Sequence, residues 1–275
     1  MIGIDVSHWN GDLDWGLLYP SIGFALMKCT QGITYFDDKY ARNKEGCVKY
    51  GIPHGVYHYF EPDIDGDRQA EYFFKKAADP TLLVWVLDVE KQSAISTENH
   101  NLNLEKAVKR LREFTGEQPW IYTSKYKWNI CTGDLIADWA QRCQLWVANY
   151  TTASAPILPA GWGTWGMWQY SEDGEVAGVY PLDVNRYNGT AEEMQLDFGN
   201  GSIPPEPQRV DKVRVVYQGG LNIRSAPVVA TSTLIGGAYY GSIWGVLGRV
   251  TDSLGRTWIQ IGTQAFIAGW YTEDV

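Results

Sequence analysis

A chain of 275 residues is longer than one average domain and shorter than three, and its 45% hydrophobic and 20% charged residues are those of an ordinary globular protein. A formal charge of −9 argues against nucleic acid as a partner and gives no attraction to an anionic surface, so recognition has to come from shape. No run of 18 apolar residues is present to span a membrane, and the opening "MIGIDVSHWN" has neither a basic segment nor a long apolar one, so no secretory signal is expected.

Taken along the chain, "MIGIDVS" and "GFALMKCT" read as two short apolar strands. "DDKYARNKEGCVKYG" reads as a helix with Tyr40, Cys47 and Val48 on one face and Gly51 as its C-cap. "GIPHGVYHYF" is a third strand. The helix over "DGDRQAEYFFKKAAD" opens with acids and closes with lysines, as the helix dipole favours. "LLVWVLDVE" is the fourth strand, and the helix "NLNLEKAVKRLREFTG" after it carries Leu104, Val108 and Leu111 at i, i+4 and i+7. "PWIYTS", "LWVANY" and "WGMWQYS" follow as further strands. Strands alternating with helices predict a parallel sheet, and so many in so short a chain predict a compact α/β barrel.

"GNGSIPPEPQR", residues 199–209, carries three prolines without apolar periodicity and reads as a semi-rigid linker. Beyond it, residues 210–275 show short strands between glycine turns, which predicts a small all-β barrel. The acidity lies in the first part. The tail has five basic residues against four acids, which leaves residues 1–209 at −10.

Aromatic rings are in excess, with 13 Trp and 17 Tyr. Many serve the core, and the remainder suits sugar recognition, because a flat ring stacks on the apolar face of a pyranose. The four cysteines, Cys29, Cys47, Cys131 and Cys143, are scattered without CxxC or metal-ligand spacing. Reduced core thiols are expected, and no cofactor or metal.

In a parallel barrel the active site gathers at the carboxyl ends of the strands. Acids recur there: Asp5 closes "IGID", Asp88 and Glu90 close "VWVLDVE", and Asp183 follows in "YPLDVN". Side chains at i and i+2 of a strand share a face, so Asp88 and Glu90 point into one space with Cα atoms about 6.5 Å apart. Like charge and apolar neighbours raise a carboxyl pKa, and an acid still protonated near neutral pH can protonate a glycosidic oxygen. On this stretch alone, the pair reads equally as strand-end acids held by caps or lysines.

The chain resembles glycoside hydrolase family 25, the Chalaropsis-type muramidases, through "GIDVSHWNG", "FALMKCTQG", "GVYHYF", "VLDVE", "WIYTS", "LWVANY", "MWQYS" and "LDVNRYNG" in the family's order. The resemblance implies a flattened, TIM-like barrel of eight strands with reduced helices over residues 1–198. It also implies cleavage of the β-1,4 bond between N-acetylmuramic acid and N-acetylglucosamine in peptidoglycan. By position, Glu90 would be the general acid and Asp88 would orient the substrate or polarise its acetamido group. Asp5 and Asp183 would tune Glu90 and shape the cleft floor. Tyr57, Tyr59 and Tyr122 are expected to line the cleft, with Lys28, Trp146, Asn149, Trp168 and Gln169 as further substrate-binding residues. His58, between two tyrosines, is expected in the core, and His8 and Trp9 are expected to pack the first βα turn. Many relatives read T-E-G where this chain has Thr30-Gln31-Gly32, so position 31 is given no catalytic role. Retaining and inverting geometries stay open. Substrate assistance is favoured, because Asp88 is placed to hold an acetamido nitrogen.

"LNIRSAP", "GRTWIQI" and "AGWYTEDV" resemble a bacterial SH3-type domain of wall-lytic enzymes. That resemblance implies a tail that binds a stem peptide or cross-bridge, with Tyr239, Tyr240, Trp244, Trp258 and Trp270 as candidate contacts and at least two of these three tryptophans expected in the core. A monomer is expected. The combination fits a phage or prophage endolysin, held in the host bacterial cytoplasm until a holin-type pore releases it to the cell wall. The alternatives are a secreted autolysin and a non-catalytic wall-binding protein. Retention of all four acids opposes the last.

Overall fold

Alternation of side chains builds the first unit. In β1 (Ile2–Val6), Ile4 and Val6 enter one apolar cluster while Gly3 lies against Phe24 of another. The same period of two runs through β2 (Phe24–Gln31), where Ala25 and Met27 face outward and Phe24 and Leu26 face inward. The structure, a computed structural model, describes residues 1–79, 81–199, 212–229, 231–262 and 265–275. Two compact units divide the chain, residues 1–204 and 205–275. The expected linker lies, after Gly199, almost wholly outside the described residues.

The first unit continues with α1 (Trp15–Leu18), β3 (Tyr35–Phe36), α2 (Tyr40–Tyr50), β4 (His54–Tyr59), α3 (Gly66–Ala77), β5 (Trp85–Asp88), α4 (Thr97–Thr115) and β6 (Trp120–Thr123). It ends with α5 (Lys125–Thr132), α6 (Asp138–Gln141), β7 (Leu145–Ala148), β8 (Met167–Val176), β9 (Val179–Tyr187) and α7 (Ala191–Phe198). Parallel pairing runs β1–β2–β4–β5–β6–β7–β8. β9 then pairs antiparallel with both β8 and β1, closing a barrel of eight strands, and β3 adds to β2 as an edge. β9 is the strand that the sequence does not announce. Leu26, Val84, Val86, Trp120, Trp146 and Met167 fill the inside of the barrel. Leu87, Ile121, Phe73, Leu104, Val108 and Leu111 lie between the strands and the helices.

Helix boundaries follow the sequence signals. Gly51 ends α2 in the left-handed region at φ 65°, and Gly116 ends α4 at φ 78°. Leu104, Val108 and Leu111 are buried on one face of α4, as expected. On α2 the buried face is Tyr40, Asn43 and Cys47, whereas Val48 is 62% exposed. Adjacent helical residues point roughly 100° apart, so Val48 cannot share the stripe that Cys47 occupies. All four cysteines are free and buried. Among the described residues, no helix is long and apolar enough to cross a membrane.

The second unit is all-β, as expected. β10 (Lys212–Val215), β13 (Ile243–Gly245) and β17 (Thr272–Asp274) form one antiparallel sheet. β11 (Leu221–Arg224), β12 (Leu234–Ala238), β14 (Gly248–Thr251), β15 (Thr257–Gly262) and β16 (Ala265–Ala268) form the other. Val213, Val215, Leu221, Ile259 and Ile267 make its core.

Candidate active site

The inward face of the barrel strands turns polar toward their carboxyl ends. Asp5 sits on β1 and is the register partner of Asp183 on β9. Asp88 ends β5 and is the register partner of Tyr59 on β4. Val89 keeps the extended register, its N–H donating to the Tyr122 carbonyl at 2.8 Å and its carbonyl accepting from Thr123 Oγ1 at 2.8 Å. Glu90 therefore follows Asp88 on the same face. Lys127 Nζ donates to the Glu90 carbonyl at 3.1 Å and holds this end of the chain.

The four carboxyls sense one another. Burial pushes Asp88 well above the usual carboxylate range, and the charge of Glu90 adds to the push, against Lys28 and Lys127. Burial also raises Asp5 to about 6, with Glu90 adding to it and the hydrogen bonds from Asn185 and Gln169 opposing it. Asp183 is pushed up to about 8 by burial and by the charges of Asp5, Glu172 and Glu90. Asp5, Asp88 and Asp183 thus share one electrostatic environment with the charge of Glu90. Asp88 Oδ1 is buried without a hydrogen-bond partner among the described residues. An acceptor so placed is open to a donor from water or from a ligand.

Asp5 is the best anchored of the four. Its Oδ2 accepts from Asn185 Nδ2 at 2.7 Å and from Gln169 Nε2 at 2.9 Å. Gln169 Oε1 in turn accepts from the Tyr122 hydroxyl at 2.7 Å and the Tyr150 hydroxyl at 2.9 Å. Trp146 donates to Asn185 Oδ1 at 2.8 Å and lies buried under Tyr57 and Tyr122, with ring separations of 6.0 and 4.4 Å. Tyr59 lies beside Lys28, whose Nζ is 5.0 Å from the ring. Lys28 Nζ also donates to Gln31 Oε1 at 3.4 Å, and Gln31 Nε2 donates to Glu61 at 2.7 Å, which is paired with Lys91. Gln31 is thus a brace between two elements.

Lys28, Tyr57, Tyr59, Tyr122, Trp146 and Gln169 therefore come together with the acids. Two expected contacts do not. Trp168 faces out of the barrel, 1% exposed, packed with Leu145 and Val147. It sits between Met167 and Gln169, both inward, so strand alternation excludes it from the cleft. Asn149 braces a loop, its Oδ1 accepting from the Ile157 N–H at 2.9 Å and its carbonyl from Trp168 Nε1 at 2.8 Å. Trp9, expected to pack, is 83% exposed. His58 is buried, as expected, bonded to Thr30 Oγ1 at 2.8 Å and Gln69 at 3.1 Å, and burial holds its pKa down at about 4. Asn185 and Tyr150 were not singled out by sequence reasoning. The signal for Asn185 was present, two residues after Asp183 on one strand face.

In the second unit, a pocket of about 540 Å³ is lined by Tyr217, Arg224, Tyr239, Trp270 and Tyr271 among others. Of the candidate contacts, Tyr239, Trp258 and Trp270 line it. Tyr240 is exposed away from that lining, and Trp244 packs half-buried on the core with Nε1 donating to Ser242 Oγ at 2.8 Å. Trp258 is core, and Trp270 is 41% exposed.

The profile of the glycosyl hydrolases family 25 matches residues 4–179. Over 205 residues the chain is 35% identical to Lysozyme M1 of Streptomyces globisporus, covering 70% of this chain and 69% of that protein. Among solved structures it is similar to a bacterial lysozyme from Streptomyces coelicolor, at 33% identity and a TM-score of 0.67, covering 72% of this chain and 97% of that one. It is also similar to a muramidase from Trichobolus zukalii, at 30% identity and a TM-score of 0.64, covering 72% and 99%.

Proposed function

The chain belongs to the glycosyl hydrolases family 25 and is a glycoside hydrolase, and from that premise we propose that it is an N-acetylmuramidase acting on bacterial peptidoglycan. The bond cut is the β-1,4 link between N-acetylmuramic acid and N-acetylglucosamine. The observation that carries this reading is the convergence of four carboxyls, Asp5 paired in register with Asp183 and Glu90 beside Asp88, whose Oδ1 is buried without a partner among the described residues.

Glu90, the more open of the pair, gives its proton to the glycosidic oxygen as the C1–O bond breaks. The acetamido carbonyl oxygen of the muramic acid attacks C1 and forms an oxazolinium ring. Asp88, whose Oδ1 has no partner of its own, accepts the acetamido N–H and supports the positive charge that grows there. Glu90, now ionised, takes a proton from a water that attacks C1, opening the ring and restoring the acetamido group with retained configuration. Asp5 and Asp183 hold the field around Glu90, and Tyr57, Tyr59 and Tyr122 line the sugar site.

In the same reading the tail is an SH3-type module that binds a peptide stem or cross-bridge through the pocket at Tyr217, Tyr239, Trp270 and Tyr271. Weak attachment there raises the concentration of the barrel on its insoluble substrate. The biological role proposed is lysis of a host cell by a phage or prophage enzyme reaching the wall through a holin-type pore.

The test is turbidity loss of purified Gram-positive walls, with the new reducing ends identified by reduction and mass spectrometry. The parent should release muramic acid ends and Glu90→Gln should not. Wall binding by the parent without new ends would leave a binding protein in place of an enzyme.

A further inference from the structure

Trp9 is 83% exposed, yet the turn that carries it is pinned from two sides. Ser7 Oγ accepts from the Trp9 N–H at 3.3 Å, and Asn10 Oδ1 accepts from the Ser7 N–H at 2.9 Å. Asp37, fully buried, accepts from the His8 N–H at 3.1 Å and meets His8 Nδ1 at 2.8 Å. An indole left in water forgoes the favourable burial of its large apolar surface. A turn this firmly held, with its largest side chain outside, is built for something that covers the ring.

The turn follows β1, so the ring stands at the end of the barrel where the acids gather. An unbroken line of side chains joins it to them. Tyr59, the register partner of Asp88, lies 5.0 Å from Lys28 Nζ, and Lys28 lies 5.7 Å from the Tyr35 ring. The Tyr35 hydroxyl is 2.9 Å from His8 Nδ1, and the His8 ring is 4.5 Å from Trp9.

We propose that Trp9, with His8 and Tyr35 beside it, is a distal sugar subsite that stacks on an N-acetylhexosamine ring of the glycan strand, beyond the sugars bound at the acids. The proposal rests on the muramidase reading and adds to it a preference for long strands over short ones. One exposed indole matches the face of one pyranose, whereas a protein partner needs an interface of about 1,000 Å² or more. Polar edges at His8 and the Tyr35 hydroxyl supply hydrogen-bonding groups for hydroxyl or acetamido groups. Continuity with the acid cleft places a strand, rather than a separate small molecule, over the ring.

The test uses the full chain carrying Glu90→Gln, so that ligand is bound and not cut. N-acetylglucosamine oligomers of two and six units are titrated by calorimetry, and acrylamide quenching follows the exposed indole. The hexamer should bind more tightly than the dimer and shield Trp9 from quenching. Adding Trp9→Ala should weaken the hexamer about tenfold, the scale of one well-placed aromatic contact, and leave the dimer unchanged. Trp9→Phe should restore most of the loss. Equal hexamer affinity with and without Trp9→Ala overturns the subsite and leaves the glycan cleft standing. Absence of any hexamer binding by the Glu90→Gln parent removes the cleft as a glycan site, and the subsite with it.

Discussion

Gln169 donates its amide N–H to Asp5 Oδ2 at 2.9 Å from the opposite end of the catalytic unit's sequence. The same side chain takes hydrogen bonds from Tyr122 and Tyr150, so its orientation is fixed at both ends. Gln169→Leu takes from the buried Asp5 one of its two side-chain hydrogen bonds and leaves two phenols without the acceptor they share. The expected cost is about 1–3 kcal/mol in urea denaturation. Loss of a bond that favours the ionised form should also move the Asp5 titration further upward, read as an upward shift in the pH–rate profile. An unchanged profile would mean that Gln169 serves packing alone.

The pH dependence of stability follows from Asp5 and Asp183. Both are raised in the folded state from an ordinary value of 3.8, to about 6 and about 8. The folded protein thus binds more protons than the unfolded chain between those values. Their contribution is fully present below about pH 4 and is lost as pH rises through about 6 and then about 8. Melting temperatures measured from about pH 5 to about pH 9 should fall across that range through these groups. Asp183→Asn should flatten the upper half of the curve. A variant as steep as the parent there would show that Asp183 titrates elsewhere.

Asp88→Asn separates stability from turnover. It removes a carboxyl that burial and Glu90 hold far from its ordinary range, so the melting temperature at alkaline pH should rise. It also removes the acceptor proposed for the acetamido N–H. The turnover number on walls should fall on the order of 10²-fold or more. A variant both more stable and fully active would sink the role given to Asp88.

Gly66, the first residue of α3, lies under α4. A Cβ there would stand 1.9 Å from the Asn103 carbonyl oxygen and 2.6 Å from the Ala107 nitrogen. These are backbone atoms that cannot swing aside, so Gly66→Ala should cost about 1–3 kcal/mol as the helices are forced apart. Thermal unfolding reads this directly. Turnover at low temperature should persist, since the acids stand on other elements. Identical melting curves would mean that the helices separate at no cost.

Much of the barrel was legible because both faces of its strands are apolar, inward and outward in turn. Val86 inward and Leu87 outward announce β5, and Leu104, Val108 and Leu111 announce α4. β9 was hidden for the reason that makes it useful. Its inward residues near the mouth, Asp183 and Asn185, are polar, and Arg186 points out over Trp168 and Tyr170. The period of two is there, with Leu182 and Val184 apolar on the outer face, but it lasts only four residues before Arg186. Trp168 misled in the opposite sense, being aromatic and next to a site residue yet on the wrong face. Trp9 carries no pattern at all, since a sequence does not reveal which single ring remains in water.

Closure of the barrel has a consequence for the order in which the protein becomes active. β1 pairs with β2 on one side and with Asp183, Val184, Asn185 and Arg186 of β9 on the other. Asp5 is made among the first residues, but its hydrogen bonds come from Gln169 and Asn185. A nascent chain on the ribosome therefore carries an unfinished β1 edge, and no assembled acid set, until nearly the whole catalytic unit has been synthesised. Truncated products that stop short of β9 should therefore be inert, and the last barrel strand to be made is the one that completes the acid set.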